Sequence, residues 1–354
     1  MNLKSSRIEI IRTHVPMFII SGLLGICFSF FVDLVLLPDS DQTSIGRITL
    51  LGAITGVGIS TILSLIEPEI RRLRKKPLWM TFILTPIIYS AFIGIVYGAA
   101  FILIMGYNDF KSNSFIVETL AFSLCITAAI TFLDTINCLL GKSVLRGLIT
   151  GRYHRPITER RFVMFLDLAG STTIAERIGN ISFHSLLNDF FCDISRPVMD
   201  GKGDIYKYVG DEAIITWPAN VSGQSPVASF FAIREAIARR AADYERLYGE
   251  VPRFRAGLHF GEVIVGEMGL YKTEIALLGD VMNTASRIQS QCRALGADFL
   301  ASSDAMAALG NLSGEFSAVT RGKCELRGKE NSMELFELGA PSSELTSSGK
   351  SDNP

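Results

Sequence analysis

Cysteine is scarce and poorly spaced for metal chemistry. Six occur in 354 residues, at Cys27, Cys125, Cys138, Cys192, Cys292 and Cys324, and no two form a CxxC or another zinc-type spacing. That leaves no basis for a disulfide framework or a structural zinc; buried or inert thiols fit better. Charge is scarce as well. Only 19% of residues are charged against 48% apolar, with a mean hydropathy of +0.33, where an ordinary soluble domain carries about 25% charge. The net charge of -1 gives no overall pull toward nucleic acid. A cleavable leader is a poor reading of the first apolar run, which is too long for one, lacks an obvious cleavage site and is followed by three more such runs.

What is present divides into two unlike halves. Four apolar stretches, Val15 to Leu37, Ile48 to Ile66, Leu78 to Met105 and Phe115 to Leu140, are each long enough for a hydrocarbon core of about 30 Å, which takes ~20 helical residues. They predict a helical membrane domain over residues 1–140. Lys4, Arg7 and Arg12 precede the first span, Arg71, Arg72, Arg74, Lys75 and Lys76 separate the second from the third, and Lys142, Arg146, Arg152 and Arg155 follow the fourth. The positive-inside rule then places both termini in the cytoplasm, as a multi-pass protein of the cell (inner) membrane. Gly52 with Gly56 and Gly94 with Gly98 have the GxxxG spacing that allows close helix approach. Asp33, Glu118 and Asp134 lie at or near span ends, where an acid is a candidate for sensing.

A basic connector, residues 141–160, leads into a globular half, 161–340, and residues 341–354 form a Ser-, Asp- and Gly-rich tail that reads as disordered. Arg161 to Asp167 reads as a buried strand, and Ser171 to Ile178 and Phe183 to Met199 as helices. Gly203 to Val209 and Ala213 to Trp217 read as a hairpin turning at Gly210-Asp211. Pro226 to Tyr248 reads as one long helix, and Arg253 to His259 with Val263 to Glu267 as a second hairpin around Gly261. A helix from Val281 to Leu295, a strand near Phe299, a helix from Ser303 and strands near Phe316 and Met333 follow. The order predicts an α+β fold with helices on a mostly antiparallel sheet.

Three groups of residues could carry chemistry. Asp167 ends the first strand and Asp211 tips the first hairpin; on neighbouring strands they would offer hard oxygen donors to Mg²⁺ or Mn²⁺. Asp211 reads equally well as a turn residue and Asp167 as a helix cap. Ala169-Gly170-Ser171-Thr172 opens a helix with small residues whose backbone N–H groups could cradle phosphate, as could any capped helix start. Asn283 and Arg287 lie four apart on one helix face, the Arg suited to phosphoryl charge, although a solvated face would explain such a pair too.

The blocks Phe165 to Thr172, Lys207 to Glu212, Gly257 to Glu262 and Gly279 to Arg287 occur in that order. Together they resemble the class III adenylate and guanylate cyclase catalytic domain, over roughly Thr158 to Leu338. The resemblance implies a ferredoxin-like palm, paired head to tail as a homodimer with sites at the interface. It implies two metals, Mg²⁺ or Mn²⁺, on Asp167 and Asp211, with the Leu168 carbonyl as a further ligand. It also implies that Lys207 reads the purine, Asn283 orients the ribose and Arg287 stabilises the transition state, these three acting across the interface. Arg327 or Lys329 falls loosely on a triphosphate contact. One departure stands out: Ala276 occupies the place of a second purine-reading residue and has no side-chain polar atom. Adenine N1 accepts from Lys207, so ATP is the expected substrate and adenylate cyclase the expected activity. Guanylate cyclase, or a catalytically silent membrane receptor, are the alternatives.

Overall fold

The structure is a computed structural model that describes residues 23, 50, 52–59, 61, 78–105, 115–140, 147, 150–221, 224–271, 273–312, 316–325 and 332–340. The first expected span falls almost wholly outside these residues, and the second is described chiefly as a helical segment over 52–59. Asp33, the side chains of Glu118 and Asp134, the tail, Arg327 and Lys329 also lie outside them. The chain divides into two compact units, Met1–Leu139 and Leu140–Pro354.

In the first unit, α1 (Leu78–Met105) and α2 (Phe115–Leu140) have the bounds of the third and fourth apolar stretches. Among the described residues one helical stretch, Trp79–Ile104, is long and apolar enough to cross a membrane, with a mean hydropathy of 2.3; the described apolar part of α2, Ser123–Leu133, is shorter. The two helices meet through a Ser90–Thr127 hydroxyl pair at 3.2 Å and a Phe82–Phe132 ring contact at 6.1 Å. A Cβ added at Gly94 would come within 2.6 Å of Leu120, so this glycine serves close approach inside one chain.

The second unit is an eight-stranded sheet with helices on both faces. Its elements are β1 (Ile157–Leu168), α3 (Ser171–Ile178), α4 (Asn180–Asp200), β2 (Asp204–Val209), β3 (Glu212–Pro218), α5 (Ser225–Arg239), α6 (Ala241–Tyr248), β4 (Phe254–Met268), β5 (Glu274–Leu278), α7 (Asp280–Leu295), β6 (Phe299–Ser302), α8 (Ser303–Leu309), β7 (Ser317–Cys324) and β8 (Met333–Gly339). The order is β2-β3-β1-β4-β6-β8-β7, with β5 paired to β4. Every pairing is antiparallel except β4 with β6. The β1 to β4 part is a ferredoxin-like βαββαβ arrangement.

Alternation along β1 divides the core. Phe162, Met164 and Leu166 join α4 and α5 in one cluster, with Phe190, Ile194, Val227 and Phe230. Val163 and Phe165 face the other side, where Val281 and Ala285 of α7 pack.

Two expectations are corrected. The supposed hairpin around Gly261 is one continuous strand, paired with β1 without interruption from Leu168↔Phe254 to Ile157↔Val265. Gly261 is not a turn; it lies under Val281, 3.3 Å from where its Cβ would be, and the true return strand is β5. The supposed long helix breaks at Arg240 (φ −102, ψ 10). There Arg240 donates to both carboxylate oxygens of Asp193 at 2.8 Å, an ion pair that helix α4 supplies and local propensity could not announce.

Candidate active site

Asp167 follows Val163 and Phe165 at period two, so it projects from the sheet face that α7 covers. Its cross-strand neighbours are Glu212 on β3 and Arg255 on β4. Asp211 belongs to the two-residue connection after Val209, which turns on Gly210 at φ +64, a conformation that favours glycine. That tight turn brings the Asp211 carboxyl into hydrogen-bond contact with Asp167. The two acids singled out in the sequence are therefore together.

Their proximity has an electrostatic cost. Burial, then the charge and hydrogen bond of Asp211, push Asp167 up to about 6, against smaller opposing effects of Gln289 and Arg255. Burial, then Asp167 and Asp211, push Glu212 up to about 7. A third carboxylate thus adjoins the pair. Glu212 was not singled out beforehand, and only its place after Asp211 could have drawn attention to it.

Gln289 holds Asp167 from above, its Nε2 donating to Oδ2 at 3.2 Å. It can reach because α7 lies very close on β4 at Gly257. A Cβ there would come within 2.7 Å of the Ala285 carbonyl and closer still to the Gln289 backbone nitrogen. In the same Gly-Leu-His block, His259 is structural: its Nδ1 lies 2.7 Å from the Ser302 hydroxyl, which accepts from Ala305 N at the start of α8.

Beside Asp167 the chain leaves β1 through Leu168 and Ala169, whose N–H donates to Arg253 O at 2.8 Å. Gly170 then takes φ +76 and α3 begins at Ser171 with no side-chain cap. The first-turn amides near Ser171 and Thr172 thus have no side-chain acceptor at the cap, in keeping with an anion cradle.

The remaining residues sit elsewhere. Asn283 is exposed and Arg287 half-buried on α7, whose buried residues are Val281, Thr284, Ala285, Ile288, Gln289 and Cys292. Successive helical residues turn about 100°, so Arg287 lies nearly opposite Gln289. The structure does not bring Asn283 and Arg287 onto Asp167 of the same chain. Lys207 lies on β2 and donates to Glu274 of β5 at 3.0 Å, two residues before Ala276. The hydrogen bond to Glu274 raises the Lys207 ammonium above its ordinary value. Glu274, Gln289 and Arg255 were missed in the sequence because their importance arises from strands and a helix crossing, not from a motif.

Two carboxyl groups brought side by side, the pKa of one raised by the crowding, suit a hard divalent cation, which would relieve their repulsion. No group of three His, Cys, Asp or Glu among the described residues is gathered to hold an ion alone. The Leu168 carbonyl, substrate oxygens or water would have to complete the shell.

Adenylate cyclase 2 of Rhizobium meliloti (strain 1021) is 35% identical over 241 residues, which are 66% of this chain and 66% of that protein. Retinal guanylyl cyclase 2 of Homo sapiens is 31% identical over 180 residues, 49% of this chain and 16% of that much longer one. The chain thus spans just under two thirds of the first relative and a small part of the second. In fold it is similar to a bacterial light-regulated adenylyl cyclase structure, with a TM-score of 0.52 at 18% identity, covering 64% of this chain and 66% of that one. Residues 155–339 match the family described as the adenylate and guanylate cyclase catalytic domain. With more than half of its length inside that match, the chain belongs to the class III adenylate and guanylate cyclase family.

Proposed function

We propose that the chain is a membrane-bound adenylate cyclase that converts ATP to 3′,5′-cyclic AMP and pyrophosphate. The observation that carries this is the convergence of Asp167 and Asp211 at the end of β1, half-buried, where burial and the neighbouring acid outweigh Arg255. Asp167 and Asp211, with the Leu168 carbonyl, would hold Mg²⁺ or Mn²⁺, two ions per site. When bound, such ions lower the pKa of the ribose 3′-hydroxyl and offset triphosphate charge.

The chain's own residues do the rest. Backbone N–H groups from Gly170 to Thr172 receive phosphate oxygens at the start of α3, the Ala169 N–H being engaged by the Arg253 carbonyl. Lys207 donates to adenine N1, Asn283 orients the ribose and Arg287 neutralises charge that builds as the 3′-oxygen bonds to the α-phosphorus and pyrophosphate leaves. Lys329 contacts the triphosphate in this reading.

Because Arg287 turns away from the Asp167 beside its own helix, a complete site needs a second copy of the chain. A homodimer with two equivalent sites is the arrangement that supplies it. Met268, Leu270 and Tyr271, exposed at the β4–β5 connection, give such a pair apolar surface to bury. The anchor is a four-span domain with both termini cytoplasmic in contact with membrane lipid; α1 and the basic segments flanking the apolar stretches support it.

Guanylate cyclase is the second reading, left open by Ala276, which reads neither base through its side chain, and favoured by the likeness to the retinal guanylyl cyclase. The deciding experiment is turnover by the detergent-solubilised full chain with Mg²⁺ or Mn²⁺ and either ATP or GTP. Cyclic AMP from ATP, lost in Asp167→Ala, is expected; no cyclic nucleotide from either substrate would sink the enzyme reading.

A further inference from the structure

We propose that Glu274 is the second purine-reading residue of this chain, accepting a hydrogen bond from the 6-amino group of adenine while Lys207 donates to N1. This rests on the adenylate cyclase reading above and supplies what Ala276 lacks.

A bulge in β2 sets the geometry. Between Ile205 and Lys207 the pairing of β2 with β3 shifts, leaving Tyr206 as an extra residue. Ile205, opposite Ile215, packs with the α4–α5 side of the core. Lys207 lies opposite Ile214, which packs on the α7 side, and Tyr206 joins that same cluster. Two consecutive residues are thereby aimed at one face, which regular alternation forbids.

Both reach β5, although β3, β1 and β4 lie between β2 and β5 in the sheet order. The Tyr206 hydroxyl accepts from Leu277 N at 3.1 Å, and Lys207 Nζ donates to Glu274 Oε2 at 3.0 Å. Alternation along β5 puts Ile275 and Leu277 in the core and Glu274 in the same row as Ala276, one pleat away. The longer Glu side chain can thus serve the region that Ala276 leaves without a polar atom.

The chemistry of the pair is specific. An ammonium only donates and a carboxylate only accepts, so together they offer a donor beside an acceptor. The Watson–Crick edge of adenine offers an acceptor at N1 beside a donor at the 6-amino group. Guanine reverses both signs, placing N1–H against Lys207 and O6 against Glu274. As a surface ion pair, with side chains 50% and 42% exposed, Lys207–Glu274 would add little to stability, so its placement calls for another reason.

The test compares ATP, GTP and purine riboside triphosphate, which keeps N1 but lacks the 6-amino group, on the detergent-solubilised full chain. The native chain is expected to favour ATP over the deaminated analogue by about tenfold in kcat/KM. Glu274→Ala is expected to bring that ratio close to one and to narrow the ATP-to-GTP ratio, with Ala276→Asp in the same chain restoring both. Glu274→Gln, of unchanged shape, guards against loss of fold and should weaken the ATP preference in part. If Glu274 merely braces Lys207, its removal lowers ATP and analogue turnover alike at an unchanged ratio, which overturns the proposal while leaving the cyclase reading intact. A native chain inert with every triphosphate overturns both.

Discussion

The carboxyl group of Asp211 lies close enough to that of Asp167 to raise its pKa, although the two arrive from different ends of the βαββ segment, one at a strand terminus and one on a hairpin turn. Glu212 adds a third acid directly across from Asp167.

That crowding predicts a pH dependence. Asp167 moves from 3.8 to about 6 and Glu212 from 4.5 to about 7 in the folded chain. The fold therefore keeps protons that the unfolded chain releases, and the metal-free fold loses stability as pH rises from about 4 through 7. Both groups are partly exposed and solvent screens them, so the melting midpoint should fall by only about 2–4 °C between pH 5 and 8. Thermal melts without metal would measure it. Mn²⁺ should reverse the loss at pH 8, and Asp167→Asn should reduce both effects. A midpoint that rises over that range would contradict the raised values of Asp167 and Glu212.

The opposed directions of Gln289 and Arg287 on α7 predict complementation. Asp167→Ala and Arg287→Ala should each be inactive alone, with a loss of about 10²–10³ for the Arg. Co-expressed, they should recover activity, because one of the two sites in a mixed pair is intact. Activity measured on tagged, co-purified mixtures decides it; no recovery would speak against a site shared between copies.

The exposed β4–β5 connection predicts an assembly defect. Leu270 is 87% exposed and Tyr271 fully so, so Leu270→Asp with Tyr271→Asp should leave the fold and its melting midpoint essentially unchanged. Sedimentation of the solubilised chain should shift toward monomer, and activity should fall with it. An unaltered dimer with full activity would place the contact elsewhere.

Gly257 predicts a packing lesion. Any Cβ there meets the backbone of α7 rather than a yielding side chain, so Gly257→Ala should cost about 1–3 kcal/mol. Because the displaced helix carries Gln289, activity should fall further than stability alone explains. Melting curves and kcat on the same preparation separate the two.

Much of this was legible in the sequence, and the failures share one cause. The bounds of α1 and α2 follow from long, predominantly apolar runs, which need no partner to be read. The Gly210-Asp211 turn announced itself because its conformation is local. Gly261 misled for the opposite reason: glycine there makes room for Val281 of α7, a need invisible along the chain. The break at Arg240 depends on Asp193 in another helix, and the importance of Glu274 depends on a bulge in β2 and on β5 coming within its reach. Asp167 and Asp211 were identifiable as candidates; that burial and crowding would raise the pKa of Asp167, with Glu212 beside it, was not.

Helix α7 has a consequence beyond either residue it presents. Gln289 on its inner side steadies an acid of the pocket below, while Arg287 on its outer side would serve the pocket of the neighbouring copy. A rigid rod cannot tilt at one side only, so filling one pocket would be felt in the other. Crosstalk between the two halves of such a pair would then need no moving loop, only a small rocking of sixteen residues about their seat on Gly257.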